Sequence, residues 1–352
     1  MIPQGGTIGI LGGGQLGRML AVAAAQLGYR CHIYAPEQDS IAADVGAAFT
    51  CADWHDAEAL ARFVRDCDVI TLEFENIPVA PLKTIPAGKL APGTNALEVA
   101  QDRLREKRFV ETLGGVPAPF APVDSREDLD AAIERIGTPG ILKTARDGYD
   151  GKGQWRIGSA HDADGIALPG VPLVYEGFVR FEGEFSVILV RGRDGAVRFW
   201  DSAENVHEHG ILARSTVPAG PAVARHVAAA RKLATEVAIA LDYVGVLTLE
   251  FFATGAGPVF NEMAPRVHNS GHWTIEGAIT SQFENHIRAI CGLPLGSTAL
   301  VAPQVEMRNL IGDEASDSAA ILADPANRLH LYGKAQAREG RKMGHVTRLD
   351  WT

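Results

Sequence analysis

Cysteine is scarce and unpatterned: Cys31, Cys51, Cys67 and Cys291 form no CxxC pair and have no metal-ligand spacing. That argues against a disulfide-stapled scaffold or a zinc ribbon, and predicts free thiols, mostly buried, in a reducing compartment. No apolar run approaches the ~18 residues of a membrane-spanning helix. No basic segment or cleavage site precedes the first strand, so no export signal is read. Positive charge is in deficit, with 33 Lys and Arg against 43 Asp and Glu and a net charge of −10, which argues against a general nucleic-acid binder. Repeats and low-complexity stretches are missing too. What remains is a chain of 352 residues, 46% of them hydrophobic, enough for two or three domains around substantial cores. A soluble cytoplasmic protein is expected.

The first 90 residues alternate strand and helix. Thr7–Leu11, Cys31–Tyr34 and Val69–Glu73 read as strands, with helices over Gln15–Leu27 (ending at Gly28) and Asp56–Arg65. That order predicts a parallel sheet faced by helices. A charged helix over Gln101–Leu113 stops at Gly114-Gly115, and the proline-rich Val116–Pro122 then suggests a boundary. Strands near Gly140–Thr144, Trp155–Ile157 and Leu173–Tyr175 suggest a small middle unit. Long alternating strands follow from Glu182, with helices over about Pro221–Leu241 and Ser281–Cys291. The expected division is 1–115, 116–181 and 182–352, of α/β character throughout.

Three places carry chemistry. Gly12-Gly-Gly-Gln-Leu-Gly17 fits GxGxxG between a strand and a helix, which offers backbone amides to an anion at a helix N-terminus. A dinucleotide, with Glu37 or Asp39 at its ribose, the phosphate of any small substrate, and a purely structural tight turn all remain open there. The second place is Lys143, in an apolar strand followed by a loop bearing Gly148, Gly151 and Gly153 with Arg146 and Lys152. Such a loop can approach phosphates with its amides, but it lacks the Walker spacing.

The third is Val246–Ala253, the turn Thr254–Pro258, and Val259–Arg266, read as a hairpin. Closed by residues 253 and 259, it sets Glu250 opposite Glu262. Directly opposed like charges destabilise a sheet, so a cation between them is expected unless one carboxylate reaches solvent or pairs with Arg266. An all-oxygen ligand pair suits Mg²⁺, which completes its shell with waters and substrate phosphates. Lysine, glycine loop and Mg²⁺ together describe a phosphoryl-transfer site.

Five stretches now acquire a common meaning: Gly12–Met19, Glu73-Phe-Glu-Asn-Ile77, Gln101-Asp-Arg103 with Lys107, Asp147–Trp155 and Asn261–Thr274. In these the chain resembles the ATP-grasp superfamily and, within it, the purine-biosynthetic synthetases that carboxylate aminoimidazole ribonucleotide. Only Arg308 departs, where that family usually carries a small apolar residue. The resemblance implies an ATP-grasp fold with a Rossmann-like N-terminal domain, a small lid domain and a C-terminal ATP-grasp domain. It also implies a carbon–nitrogen ligase using ATP, Mg²⁺, bicarbonate and aminoimidazole ribonucleotide through a carboxyphosphate intermediate, in a homodimer whose product passes to a separate mutase.

By the same resemblance ATP would meet Arg103, Lys143, the lid Gly148, Tyr149, Asp150, Gly151, Lys152, Gly153 and Gln154, an apolar edge strand of Glu176, Gly177, Phe178 and Val179, and Glu184, His207, Asn261 and Glu262. The metal would lie on Glu250 and Glu262. Bicarbonate would meet Arg266, His268 and Asn269, with Asp150 and Lys152 over the imidazole. Gly13, Gly14, Gln15, Glu73 and Asn76 would hold the ribonucleotide. The basic stretch Arg328–Arg348 adds Lys334, Arg341 and Lys342 as anion-binding candidates. Rival readings are a nicotinamide oxidoreductase built on Gly12–Gly17, a formate-dependent glycinamide ribonucleotide transformylase, and a non-catalytic nucleotide sensor.

Overall fold

A computed structural model describes residues 1–146, 148 and 153–351 of the chain. Three sheets organise it. The first joins β1 (Thr7–Leu11), β2 (Arg30–Ala35), β3 (Ala48–Cys51) and β4 (Val69–Leu72) in the order β3-β2-β1-β4, all parallel. Val69, Ile70, Thr71 and Leu72 are all buried, as expected of a strand covered on both faces. The second sheet holds β5 (Phe120–Val123), β6 (Gly140–Thr144), β7 (Gln154–Ile157) and β8 (Leu173–Gly177), antiparallel in the order β5-β8-β6-β7.

The third sheet has nine strands. They are β9 (Gly183–Arg191), β10 (Val197–Phe199), β11 (Ala203–Glu208), β12 (Ile211–Val217), β13 (Gly245–Thr254), β14 (Gly257–Ala264), β15 (Gln304–Ile311), β16 (Asn327–Leu331) and β17 (Lys342–Asp350). Their path is β14-β13-β9-β11-β12-β15-β17-β16, with β10 beside β9, so β14 is a terminal strand.

Local sequence explains the helix limits. Asp56, Asp102 and Ser281 each accept a backbone N–H of the first turn of the helices Ala57–Asp66, Arg103–Thr112 and Gln282–Cys291. The last of these stops at Gly292, whose left-handed φ of 76° ends it at little cost. That helix packs against Gln15–Gln26, so the parallel sheet and the nine-stranded sheet share one apolar core, containing Leu20, Ala24, Ile188, Val246 and Ile287. His286 bolts the junction. Its Nε2 lies 2.7 Å from Thr71 Oγ1 of β4, and its Nδ1 accepts the Val246 amide of β13 at 3.1 Å.

The differences from expectation are local. The helix expected over Pro221–Leu241 is two, Pro221–Ala224 and Val227–Ala240. Strands β3 and β5 and the helix Thr94–Ala100 carry too little periodicity to be read. Strand β8 is an interior strand, hydrogen-bonded to β5 and β6, where an edge was expected. Arg308 stands on the exposed face of β15 and pairs with Glu314 at 3.3 Å, so a charge is tolerated there. All four thiols are free, and three of them are buried. Among the described residues no helix is long and apolar enough to cross a membrane.

Candidate active site

The carboxylate hairpin reaches the expected register by an unexpected route. It closes at Thr254↔Gly257 around Gly255-Ala256, and the ladder runs Ala253↔Pro258, Phe252↔Val259, Phe251↔Phe260. Continued regularly, that ladder would oppose Glu250 with Asn261. A β-bulge inserts Asn261 as an extra residue, and Glu250 then faces Glu262.

The two carboxylates sit in different fields. Burial and the charge of Glu262 push the Glu250 carboxyl up to about 7. Burial acts on Glu262 too, but Arg103, Lys143 and Lys107 outweigh it and hold that carboxyl below its ordinary value. Glu262 Oε2 lies 3.1 Å from Arg103 Nη1, and Glu250 Oε1 lies 3.4 Å from His268 Nε2. Neither carboxylate pairs with Arg266. No group of three His, Cys, Asp or Glu among the described residues could hold a metal. Two carboxylates alone suit Mg²⁺ carried in by a phosphate better than a dedicated protein cage.

A cationic wall faces the pair. Lys143 Nζ donates to Glu176 Oε2 at 2.9 Å, and Lys107 Nζ lies 3.3 Å from Glu176 Oε1. Burial opposes ionisation of Glu176, yet the two lysines and Arg103 hold its carboxyl down to about 2. Arg103 Nη2 also reaches the Gly148 carbonyl at 3.5 Å. Arg146 is exposed and held by Asp102 at 3.1 Å. Along the neighbouring wall, the amides of Gly177 and Phe178 already donate to the carbonyls of Pro119 and Pro139. Beyond them His207 Nδ1 contacts Glu184 Oε2 at 2.5 Å. Burial would lower the His207 pKa, but the carboxylates of Glu184, Glu250 and Glu262 raise it.

At the opposite end Arg266 is clamped by Glu75, Nη2 to Oε1 at 2.7 Å and Nε to Oε2, while its Nη1 donates to the Val267 carbonyl at 3.1 Å. Burial first, then Arg266, Lys342 and His207, push the His268 pKa well below the usual range. Asn269 exchanges amide hydrogen bonds with Asn309 at 2.9 and 2.7 Å. The glycine turn holds one of the chain's own carboxylates. Glu73 accepts the amides of Gly14 at 2.8 Å and Gly17 at 3.2 Å, and Gly13 packs against Ser40. Gln101 Nε2 braces the same loop through the carbonyls of Glu75 and Ile77, each at 2.7 Å.

One cavity of about 900 Å³ connects these walls. Arg103, Lys143, Gly148, Gln154, Glu176, Gly177, Phe178, Val179, Glu184, His207, Glu250, Asn261 and Glu262 line one side. Gly14, Gln15, Glu73, Asn76, Arg266, His268, Asn269 and Lys342 line the other. Of the remaining sequence candidates, Gly13 and Gly153 do not line the cavity, though Gly14 and Gln154, next to them in sequence, do. Lys334 donates to the Lys342 carbonyl at 2.6 Å, and Arg341 to that of Gln336 at 2.9 Å; neither lines the cavity. Tyr149, Asp150, Gly151 and Lys152 lie outside the described residues.

Family models match most of the chain. The ribonucleotide synthetase preATP-grasp domain matches residues 6–101, the ATP-grasp domain 108–283, and the phosphoribosylaminoimidazole carboxylase C-terminal domain 306–352. The N5-carboxyaminoimidazole ribonucleotide synthase of Brucella melitensis is 50% identical, over 99% of this chain and 97% of that one. The chain belongs to the N5-carboxyaminoimidazole ribonucleotide synthetase family.

Solved members of this synthetase family share its shape. The enzyme of Thermus thermophilus superposes with a TM-score of 0.89 at 48% identity, covering 97% of this chain and 93% of that one. The Aspergillus clavatus synthase, solved with ADP and 5-aminoimidazole ribonucleotide, gives 0.91 at 30% identity, covering 99% and 95%. Among the side chains that brace site residues without having been assigned a role from the sequence are Glu75, Glu106 and Lys107. Glu75 and Lys107 lie within recognised stretches, but only tertiary structure reveals what they touch. Glu106, buried beside Met263, reads from sequence as an ordinary helix-surface acid.

Proposed function

We propose that this chain joins bicarbonate to the exocyclic amine of 5-aminoimidazole ribonucleotide at the cost of one ATP. The observation that carries the reading is the single cavity with a phosphate-suited cationic wall and an opposed carboxylate pair at one end, and an anion-suited guanidinium at the other. A bicarbonate oxygen attacks the γ-phosphorus and ADP leaves, giving carboxyphosphate. The amine then takes the carboxyl carbon, phosphate departs with the C–O bonding pair, and the amine loses a proton. Bicarbonate is a poor acyl donor until that leaving group is attached, and the activated species must be kept from water.

In this reading Arg103 and Lys143 neutralise the phosphates, and the segment Gly148 to Gln154 covers them. Glu176 to Val179 borders the adenine; with two amides already engaged, its recognition falls to the remaining backbone groups and to Phe178. Glu184 takes the ribose hydroxyls, with His207 and Asn261 beside the nucleotide. Glu250 and Glu262 would hold Mg²⁺, whose chemistry is charge neutralisation on the transferring phosphoryl group. Arg266, His268 and Asn269 receive bicarbonate, a planar anion matched by a guanidinium. Gly13, Gly14, Gln15, Glu73, Asn76 and Lys342 meet the ribonucleotide, and Asp150 and Lys152 complete its enclosure.

The same reading divides the chain into substrate, lid and ATP-grasp units at 1–115, 116–181 and 182–352. It includes a homodimer, a reducing cytoplasmic setting suited to four free thiols, and a separate mutase that consumes the labile carbamate. ADP release assayed with each acceptor, with and without bicarbonate, tests it. Full turnover requires aminoimidazole ribonucleotide and bicarbonate together. Release driven by formate with glycinamide ribonucleotide would refute it, as would hydride transfer to a nicotinamide.

A further inference from the structure

The register of the carboxylate pair depends on one irregular residue in a terminal strand. Strand β14 has a sheet neighbour on one side only, so its outer backbone groups need other partners. The Val116 carbonyl takes the Phe260 amide at 2.8 Å, ahead of the bulge; at and beyond the bulge the helix Arg103–Thr112 supplies partners from a single face. Arg103, Glu106 and Lys107 fall at i, i+3 and i+4 and therefore project together. They meet three consecutive residues of β14. Lys107 Nζ donates to the Asn261 carbonyl at 3.3 Å, Arg103 Nη1 pairs with Glu262 Oε2 at 3.1 Å, and Glu106 Oε1 accepts the Met263 amide at 2.7 Å. Glu106 and Lys107 are both almost fully buried, at 2% and 1% exposure, so these contacts form away from competing water.

Asn261 is the residue whose insertion turns Glu262 to face Glu250. Relaxing the bulge would oppose Glu250 with Asn261 and, with a side-chain period of two, turn Glu262 to the other face of the sheet. We propose that Glu106 and Lys107 are positioning residues: they grip the backbone on both sides of Glu262, hold the bulge at Asn261, and thereby keep the two carboxylates matched for a divalent cation. They act through Glu262, and the proposal rests on the metal role given to that pair above.

The test separates metal-dependent from metal-independent nucleotide binding, using ADP titrated by calorimetry with and without Mg²⁺ on the full chain. Glu106→Leu removes the acceptor for the Met263 amide, and Glu106→Gln keeps one. The Leu variant should need on the order of tenfold more Mg²⁺ for half-maximal ADP binding, the scale of one buried hydrogen bond. Its metal-free ADP affinity should stay within about twofold, since no metal is involved, and the Gln variant should regain most of the lost Mg²⁺ response. Unchanged Mg²⁺ dependence in a folded Leu variant overturns the proposal. Equal loss of metal-free ADP binding also overturns it, because the effect is then general damage. Should Glu106→Leu fail to fold, Lys107→Met is read on its Mg²⁺ dependence alone, because Lys107 also belongs to the cationic wall beside Glu176; a normal Mg²⁺ response in it is equally fatal. Glu262→Gln is the control: if it binds Mg²⁺ and ADP normally, the metal assignment itself falls, whatever Glu106 does.

Discussion

Replacing His286 by glutamine should change how stability depends on pH as well as how large it is. The imidazole is fully buried, and burial pushes its pKa from an ordinary 6.5 down to about 3. Both ring nitrogens are engaged, by Thr71 Oγ1 and by the Val246 amide. Because the folded pKa lies below the unfolded one, the unfolded chain takes up the proton first as pH falls. The stability linked to this group is therefore intact above about pH 6.5 and drains away as pH drops toward 3, by about 1.4 kcal/mol per unit. At pH 5 the loss amounts to about 2 kcal/mol. Glutamine cannot titrate. At pH 7.5 the variant should be less stable by about 1–3 kcal/mol, through poorer partners for Thr71 and Val246. By pH 5 that deficit should have shrunk by about 2 kcal/mol. Urea unfolding followed through the buried Trp200 and Trp273 measures both curves. Wild-type and variant curves running parallel from pH 7.5 to 5 would refute the reasoning, since they would mean that His286 accepts its proton in the folded state.

Glu75→Ala and Arg266→Ala should each cost about 2–3 kcal/mol after allowance for partial exposure, while the double variant should cost little more than either; additive losses in urea titrations would show that the two groups do not act as a pair. Gly12→Ala places a Cβ 2.5 Å from Glu73 Cγ at a φ of +113° and should destabilise by about 2 kcal/mol or more. Gly88→Ala, also at positive φ but with nothing within 4 Å, should cost less; equal losses would discredit the packing argument.

Regular patterns made much of the fold legible. Interior strands show up as short apolar runs, so Thr7–Leu11 of the parallel sheet and Gly140–Thr144 of the antiparallel one are readable to the residue. Strand β3, largely exposed at the sheet edge with the sequence Ala-Phe-Thr-Cys, has no period to detect. The edge expected at Glu176–Val179 failed for a related reason. β5, the neighbour that buries it, contains Pro122 and follows a proline-rich segment that argued for a linker. For the carboxylate hairpin two errors cancelled. The turn was placed one residue late, and the bulge at Asn261 restored the pairing. Bulges leave little trace in sequence, and only the strand ladder reveals this one.

The glycine-rich opening shows how a pattern can be right about geometry and open about purpose. GxGxxG promised amides converging on an anion at a helix N-terminus, and they do converge, on Glu73. A Cβ at Gly12 or Gly14 would come within 2.5 or 2.8 Å of that side chain, so the glycines make room for a carboxylate from the end of β4. With the Gly14 and Gly17 amides taken, a dinucleotide pyrophosphate would have to displace a buried glutamate, and the dehydrogenase reading loses its physical basis. Glu73 meanwhile faces the cavity, two residues from the Glu75 that clamps Arg266. The loop between them therefore ties the first sheet to the strand end that follows Glu262. Whatever small anion meets Arg266 does so beside a surface that both ends of the chain build.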